Sequence, residues 1–281
     1  MRVASFRYRG QWRVGRVEPE SERVLPLAVH DMLEVIGATG PLPVEAPLPL
    51  GEVELAAPIP HPARNLFCVG KNYREHAAEF AASGYDTATP AGPGDGAYPA
   101  VFTKPGTCVV GPYDRVELHA SLTQAVDYEA ELAVVIGKGG RDIPAERAMA
   151  HVFGYTIIND VSARDRQKNH QQWFLGKSLD TFAPMGPWIT TADEVNERDL
   201  TVSTWVNGEL RQHASTADLI FDIPHIIATI SAGLTLQPGD IIATGTPAGV
   251  GAGFTPPKFL RAGDTVRISI GNLGTISNTF G

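Results

Sequence analysis

The segment 127–135 reads DYEAELAVV and carries three acidic residues directly before an apolar run. Successive side chains of a β-strand alternate between its two faces, so Glu129 and Glu131 point to the same side, and Asp127 joins them if the strand begins early. The apolar continuation predicts that this strand lies inside the protein. Like charges on one face of an interior strand repel each other and are costly to remove from water unless a cation compensates them. The pattern therefore makes a bound cation one interpretation of this segment.

A second interior strand is predicted at 153–160, FGYTIIND, and it ends in Asp160. With Glu129 and Glu131 this residue completes a set of three carboxylates to which no Cys or His belongs. Oxygen ligands alone are typical of hard cations such as Mg²⁺, Mn²⁺ or Ca²⁺. The alternative is a solvated strand edge with ordinary surface acids, and the spacing alone does not decide between the two.

The segment 72–79, NYREHAAE, places His76 and Glu79 three positions apart, so on a helix they share a face and can touch. A neighbouring carboxylate orients an imidazole and raises its basicity, which makes the pair a candidate general base for a water molecule. A surface helix on which a His happens to have a nearby Glu is the alternative. The Gly- and Pro-rich segment 83–99 follows directly, and a loop of this length is typical of an active-site lid.

Composition excludes several classes of protein. Among 281 residues, 23 Lys and Arg stand against 31 Asp and Glu, which argues against a general nucleic-acid binder because phosphate contacts need a basic surface. The two cysteines, Cys68 and Cys108, form no Cys-x-x-Cys pair, which excludes a disulfide-dense scaffold and a cysteine-built zinc site. No segment approaches the roughly 18 apolar residues of a membrane-spanning helix, and the N-terminus lacks the apolar core of a secretory signal. We therefore expect a cytoplasmic, globular enzyme that binds neither nucleic acid nor membrane.

Several common catalytic motifs are absent. Gly176 and Lys177 lack the upstream glycine of a Walker A loop, because position 171 is Gln. The loop 244–251, TGTPAGVG, lacks the G-x-G-x-x-G pattern, and neither G-x-S-x-G nor H-E-x-x-H occurs. This loop is better interpreted as a tight turn whose backbone N–H groups can hold a carboxylate.

The predicted elements favour an α+β, β-rich fold. Predicted strands outnumber predicted helices, which fall at 29–36, 73–82, 144–151, 162–173 (with Ser162 and Asp165 as a capping box) and 217–231. They do not alternate regularly, which argues against a doubly wound sheet or a (β/α)₈ barrel. Seven prolines between positions 41 and 62 predict an extended connector. We place a boundary near residue 60, between a small N-terminal β-rich domain, 1–60, and a main domain, 61–281.

Six segments resemble, in order, the signature motifs of the fumarylacetoacetate hydrolase family. They are FCVGKNYREHAAEF (67–80), FTKP (102–105), VDYEAELAVVIG (126–137), YTIINDVSARDRQ (155–167), FLGKSLDTFAPMGPW (174–188) and PGDIIATGTPAGVG (238–251). The resemblance covers about residues 60–281 and is greatest to the acylpyruvase and 2-hydroxyhepta-2,4-diene-1,7-dioate isomerase branch. It implies a mixed β-sandwich roll and a homodimer, and the region before residue 60 is similar to the family's variable N-terminal domain.

The resemblance also implies a metal site and the residues around it. One Mg²⁺ or Mn²⁺ per subunit, for which Ca²⁺ can substitute, would be held by Glu129, Glu131 and Asp160. His76 and Glu79 would activate a water molecule when the lid closes, and Lys177 would stabilise the developing oxyanion or enolate. The implied substrate-binding residues are Arg164, Gln167, Thr246 and Gly245.

The substrates implied by the resemblance are small 2-oxo acids. The leading prediction is hydrolysis of the C3–C4 bond of a 2,4-dioxo acid (acylpyruvate or fumarylpyruvate type) through a metal-stabilised pyruvate enolate, because His76 and Glu79 are both present to activate water. Oxaloacetate-type decarboxylation or 2-hydroxyhepta-2,4-diene-1,7-dioate isomerisation on the same site is the second prediction, since both proceed through the same kind of enolate. A non-catalytic binder of oxo acids is the third. The segment 83–100 is longer than the corresponding link in the family, so the sequence leaves the distal group of the substrate open.

Overall fold

The computed structural model of the chain describes residues 1–85 and 98–281. Over these residues the strands are β1 Arg2–Tyr8, β2 Gln11–Glu18, β3 Arg23–Pro26, β4 Leu48–Pro49, β5 Glu54–Leu55, β6 Leu66–Gly70, β7 Ala100–Lys104, β8 Val109–Val110, β9 Val126–Asp127, β10 Ala130–Ile136, β11 Val152–Asn159, β12 Ser162–Ala163, β13 Ala183–Thr191, β14 Thr201–Val206, β15 Glu209–Ser215, β16 Ile241–Ala243, β17 Thr265–Ile270 and β18 Thr275–Thr279. The α-helices are α1 Met32–Gly37, α2 Arg74–Ala82, α3 Ala145–Ala148, α4 Arg164–Asn169, α5 Phe174–Lys177 and α6 Ile223–Ser231.

One large mixed sheet organises the molecule, which confirms the predicted β-rich α+β fold. In the described chain it contains twelve strands, with β4-β3-β2-β1-β13-β11-β10-β16-β6-β7 in that order and with β5 and β8 attached to β1 and β13. Strand β10 pairs antiparallel with β11 on one side and with β16 on the other, and β16 pairs in parallel with β6. A separate four-stranded antiparallel sheet has the order β15-β14-β17-β18.

Strand β10 is buried on both faces, as its apolar sequence predicts. Leu132, Val134 and Ile136 belong to a core that also contains residues of α6 and of the four-stranded sheet. Ala133 and Val135 point the other way, into a second core with α1 and the N-terminal strands. Alternation along one strand thus divides the interior into two layers, with β10 between them.

Four strand ends meet at one edge of the large sheet. Strand β10 begins where its antiparallel neighbour β11 ends, with Ala130 opposite Asn159. Strand β16 ends there as well, because Ala243 lies opposite Ala133, and the parallel strand β6 ends beside it. The segments that leave β11, β16 and β6 and the one that enters β10 are therefore neighbours, although they are far apart in the sequence.

The N-terminal strands extend the large sheet. Strand β1 pairs antiparallel with β13, and the proline-rich connector contributes only the two-residue strands β4 and β5, in agreement with its shortage of N–H donors. The domain boundary near residue 60 stays a prediction.

Helix predictions are least accurate where the chain forms short pairings. The helix predicted over 162–173 is confirmed over Arg164–Asn169, where α4 lies, but its predicted ends are wrong, because Ser162 and Ala163 pair with β9 as strand β12 and α4 ends at Asn169. The predicted capping role of Ser162 is also wrong, since its hydroxyl donates to the Asp160 carbonyl at 3.1 Å and α4 begins after Ala163. Helices α1 and α6 are shorter than predicted and begin after Asp31 and Asp222, whose side chains accept hydrogen bonds from the first turn.

Strand β15 was not predicted, although the sequence contains a signal for it. Asn207 and Gly208 both have positive φ, 51° and 84°, and they connect β14 to β15. Asn-Gly between two strands is the sequence typical of a tight hairpin turn. Helix α2 is found where it was predicted, but most of the predicted lid loop at 83–99 lies outside the described residues. Within the described residues, no helix is long and apolar enough to cross a membrane.

Both cysteines are expected to be unreactive in the folded protein. Burial raises the pKa of the Cys108 thiol to about 11 and that of the Cys68 thiol well above its usual value. At pH 8 both thiols are therefore protonated, and only the thiolate reacts with a disulfide reagent such as DTNB. We expect no labelling of the native protein within minutes and labelling of both thiols in guanidinium chloride. Fast labelling of one thiol under native conditions would contradict this packing.

Candidate active site

Three buried carboxylates meet where β10 begins and β11 ends. Oxygen atoms of Glu129, Glu131 and Asp160 all lie within 4.8 Å of one another. The backbone N–H of Asp160 donates to the carbonyl of Glu129 at 2.8 Å, which extends the antiparallel pairing past the end of β11 and brings the side chains together. The structure therefore brings together the three acids that the sequence singles out.

Two lysines neutralise part of this charge. Lys177 Nζ donates to Glu129 Oε2 at 2.6 Å and to Asp160 Oδ2 at 2.7 Å. Lys104 Nζ donates to Asp160 Oδ1 at 2.6 Å and to the Val161 carbonyl at 3.0 Å. Lys104 was not among the predicted site residues. Its signal in the sequence is the FTKP segment, where a lysine follows apolar strand residues.

Arg164 connects the carboxylate cluster to the loop 249–252. Its Nη2 lies 2.7 Å from Glu129 Oε1, and its Nε donates to Asp127 Oδ2 at 2.9 Å. Asp127 also accepts from the backbone N–H groups of Gly251 and Ala252, at 2.6 and 3.0 Å. Asp127 thus lies outside the three-carboxylate cluster and fixes the loop and the arginine.

Glu131 lacks a compensating cation. Its Oε2 accepts from the Gly245 N–H at 2.7 Å, and no Lys, Arg or His nitrogen of the described residues forms an ion pair with it. Burial and the nearby carboxylates of Asp160 and Glu129 raise the pKa of Glu131 well above its usual value. Burial also acts to raise the pKa of Glu129, but Lys177 and Arg164 outweigh it and lower this pKa to about 2. The cluster is therefore short of positive charge at Glu131, and its oxygen-only donor set fits a divalent cation.

A small cavity lies against the carboxylates. It is lined by Glu129, Glu131 and Lys177 together with apolar and polar side chains. Trp173 forms one wall by packing on Gly70, where an added Cβ would lie 2.2 Å from the indole ring. Phe102 meets Trp173 edge-on, with ring centroids 5.3 Å apart. These two aromatic rings bound the cavity on one side.

His76 and Glu79 form the pair that their spacing on α2 predicts. His76 Nδ1 lies 3.5 Å from Glu79 Oε2, which is long for a hydrogen bond, and His76 is buried and lines the cavity. The Glu79 carboxylate accepts from the Gly249 N–H at 3.0 and 3.2 Å. It also lies so close to Gly253 that a Cβ there would meet it at 2.1 Å. The glycines of this loop thus allow Glu79 to approach the backbone closely.

The predicted substrate-binding residues have different positions. Arg164, Gln167 and Thr246 line the cavity. Gln167 accepts a hydrogen bond from Arg164 Nη1 at 3.2 Å. Gly245 is not among the lining residues, and its N–H is engaged by Glu131.

Gln212 is a further buried polar residue next to the site, and it was missed in the sequence. It lies on β15, the strand that was not predicted, and its side chain donates to Thr246 Oγ1 at 2.7 Å. The Asn207–Gly208 turn could have revealed the strand but not this contact, since Gln212 and Thr246 are 34 positions apart.

Two family models together match the whole chain. The fumarylacetoacetate hydrolase C-terminal model matches residues 51–281, and an Rv2993c-like N-terminal model matches residues 1–58. Among curated proteins, the oxaloacetate tautomerase YisK of Bacillus subtilis is 54% identical over 233 residues, which cover 83% of this chain and 74% of the relative.

Solved structures have the same fold. A fumarylacetoacetate hydrolase from Exiguobacterium antarcticum superimposes with a TM-score of 0.88 at 44% identity, over 100% of this chain and 99% of the other. A maleylpyruvate hydrolase from Sphingobium, solved with manganese(II) and pyruvate, superimposes with a TM-score of 0.77 at 34% identity, over 100% and 98% of the two chains. The resemblance seen in the sequence motifs is confirmed: the chain belongs to the fumarylacetoacetate hydrolase family.

Proposed function

We propose that this chain is a divalent-metal-dependent enzyme that forms the enolate of a small 2-oxo acid, and that its reaction is the keto–enol tautomerisation of oxaloacetate or a close analogue. The observation that carries the proposal is the small cavity in which His76 and Lys177 meet a carboxylate cluster that lacks one compensating cation. The similarity to an oxaloacetate tautomerase supports the choice of reaction.

The residues present fit a divalent cation. Glu129, Glu131 and Asp160 would hold Mg²⁺ or Mn²⁺, with Ca²⁺ as a possible substitute. When bound, the cation supplies Lewis-acid polarisation of a 2-oxo group and orients the substrate. The manganese in the maleylpyruvate hydrolase structure supports this part of the proposal.

The chain's own residues can perform the proton transfer. Tautomerisation moves a proton between C3 and the oxygen on C2, so it needs a base at C3 and a positive group at the oxygen. His76 is the candidate base, since Nδ1 faces Glu79 and Nε2 remains for the substrate. Lys177 Nζ, held by Glu129 and Asp160, provides a fixed positive charge for the enolate oxygen.

Hydrolysis of a 2,4-dioxo acid is the second candidate. The observation that favours it is the His76–Glu79 pair, because the same two groups can take a proton from water. Both reactions use an enolate, so the two candidates differ in whether water reaches C4.

The test of the proposed function follows three reactions in parallel, each with Mg²⁺, Mn²⁺ or EDTA and against a blank that contains metal but no protein. They are loss of the enol absorbance of freshly dissolved enol-oxaloacetate, loss of acetylpyruvate, and pyruvate formation from either. We expect enol loss that EDTA abolishes, without pyruvate. Metal-dependent cleavage of acetylpyruvate would favour hydrolysis, and pyruvate from oxaloacetate above the blank would favour decarboxylation. Binding without any turnover would contradict the enzyme proposal.

Substitution of His76 or Lys177 should abolish most of the activity. We expect His76→Asn and Lys177→Met to lower kcat by about 10²- to 10⁴-fold, the usual contribution of a positioned acid or base. Replacement of the exposed His30 by Asn is the matched control and should leave kcat unchanged. A His76→Asn enzyme with normal kcat and normal metal affinity would show that another group moves the proton.

Metal binding should release a proton at pH values above the usual pKa of a glutamate. Because the pKa of Glu131 is raised in the metal-free protein, its carboxyl retains a proton at pH values where an exposed glutamate is ionised, and the cation must displace it. Calorimetric titration with Mn²⁺ in two buffers of different ionisation enthalpy measures this proton. Glu131→Gln should bind more weakly and release none. Equal heats in both buffers for the unmodified protein would contradict the prediction.

The same raised pKa predicts how stability depends on pH. A carboxyl whose pKa is higher in the folded than in the unfolded state destabilises the fold as pH rises from the unfolded towards the folded pKa. Bound metal removes this penalty, so the rise in Tm on adding Mn²⁺ should grow with pH over that window. At a free concentration of 100 Kd the metal should add about 2.7 kcal/mol. Thermal melts with Mn²⁺ or EDTA between pH 5 and 8 test this, and an increment that shrinks with pH would contradict it.

A further inference from the structure

The amide of Gln212 uses all of its hydrogen-bonding capacity between two parts of the active site. Its Oε1 accepts from the Ala130 N–H at 3.2 Å and from Thr204 Oγ1 at 2.9 Å. Its Nε2 donates to Thr246 Oγ1 at 2.7 Å and to the Pro247 carbonyl at 2.8 Å. A primary amide has two N–H donors and two oxygen lone pairs, so nothing is left over. The whole group is buried with an exposed fraction of 0%.

The orientation of this amide is determined by its partners. The Ala130 N–H can only donate and the Pro247 carbonyl can only accept, so Oε1 must face the former and Nε2 the latter. Thr246 Oγ1 lies on the Nε2 side and must therefore act as an acceptor towards Gln212. The hydroxyl hydrogen of Thr246 has to point elsewhere.

The hydroxyl hydrogen of Thr246 can point into the cavity, where a ligand would bind. Thr246 lines the cavity beside Glu129 and Glu131, and in the described part of the chain its hydroxyl donates to no protein acceptor. A hydroxyl that is held as a donor at a buried site suits a ligand atom that can only accept, such as a carboxylate oxygen. Ala130, at the other end of the amide, lies between Glu129 and Glu131 in the strand.

We propose that Gln212 is a positioning residue that fixes the Thr246 hydroxyl as a donor to the carboxylate of the 2-oxo acid. Through the Ala130 N–H it also ties that donor to the strand segment that carries two of the cluster carboxylates. This inference rests on the proposed use of the cavity for a 2-oxo acid, and its test measures binding in the absence of turnover.

The probe is oxalate, an acceptor-only dicarboxylate that resembles a 2-oxo acid and cannot react further here. Its Kd for the full-length, Mn²⁺-loaded protein is measured by calorimetry, and the Mn²⁺ affinity of each variant is measured separately by electron paramagnetic resonance. Gln212→Glu keeps an oxygen facing Ala130 and removes the donor facing Thr246. Gln212→Met removes both the oxygen that faces Ala130 and the donor that faces Thr246, and it adds no charge. It replaces Gln212→Glu in the test if that variant does not fold.

We expect each Gln212 variant, and also Thr246→Val, to raise the Kd for oxalate about tenfold or more, which is the usual effect of losing a hydrogen bond to a charged group. Thr246→Ser, which keeps the hydroxyl, should bind nearly as the unmodified protein does. The double variant Gln212→Met with Thr246→Val should be about as weak as either single variant, because the glutamine acts through the threonine. Gln212→Glu should retain its Mn²⁺ affinity.

Asn278→Leu is the matched control for lost stability. Asn278 is another buried amide, which donates to the Gly111 and Asp114 carbonyls far along the chain from the cavity residues. The Asn278→Leu variant should have a lower Tm and an unchanged affinity for oxalate. Losses that multiply in the double variant, or unchanged oxalate binding in both Gln212 variants, would overturn the inference. If the unmodified Mn²⁺-loaded protein does not bind oxalate at all, the proposed function fails and the inference fails with it.

Discussion

The burial of three carboxylates at the start of β10 is the constraint on which the rest of the structure depends. Two unit charges 4 Å apart interact by about 4 kcal/mol at an effective dielectric constant of 20, so like charges this close need fixed partners of opposite sign. Lys104, Lys177 and Arg164 are those partners, and each is itself buried, so none can move away without leaving a charge unpaired. They leave Glu131 without an ion pair among the described residues, and this deficit is the reason why we propose a metal site here and not a structural salt-bridge network.

The sheet topology explains how residues from distant segments reach this cluster. Antiparallel pairing places the start of β10 beside the end of β11, and parallel pairing places the ends of β16 and β6 at the same edge. The segment after β16 supplies Gly245 and Thr246, and the one after β6 leads into α2 with His76. Asp127 and Glu79 then hold the glycine-rich loop by its backbone N–H groups, which fixes the side of the site opposite to the sheet. A rigid scaffold with functional loops at one edge is a common arrangement in enzymes.

The parts of the site that could be predicted depend on short-range regularities. The alternation of Glu129 and Glu131 and the spacing of His76 and Glu79 are both local, and a strand or helix fixes such pairs whatever surrounds it. Gln212 and Lys104 were not predicted because their roles come from contacts between residues far apart in the sequence. Gln212 contacts Ala130 across 82 positions, and Lys104 contacts Asp160 across 56 positions. The start of the helix expected over 162–173 was placed wrongly for a related reason, since Ser162 and Ala163 pair with β9. Propensity contains no information about such partners.

Tautomerisation, C3–C4 hydrolysis and decarboxylation all pass through an enolate that is then protonated, so the groups that stabilise it do not decide the product. The product depends on whether water reaches the substrate and on the space available beyond its C3 atom. Trp173, packed on Gly70 and supported by Phe102, bounds the cavity on one side. His76 lines the same cavity, so a candidate base faces the space that a bound acid would occupy. With His76 as the base, a proton can be returned to C3 without a water nucleophile, and this, together with the similarity to an oxaloacetate tautomerase, is the reason why we propose tautomerisation ahead of hydrolysis.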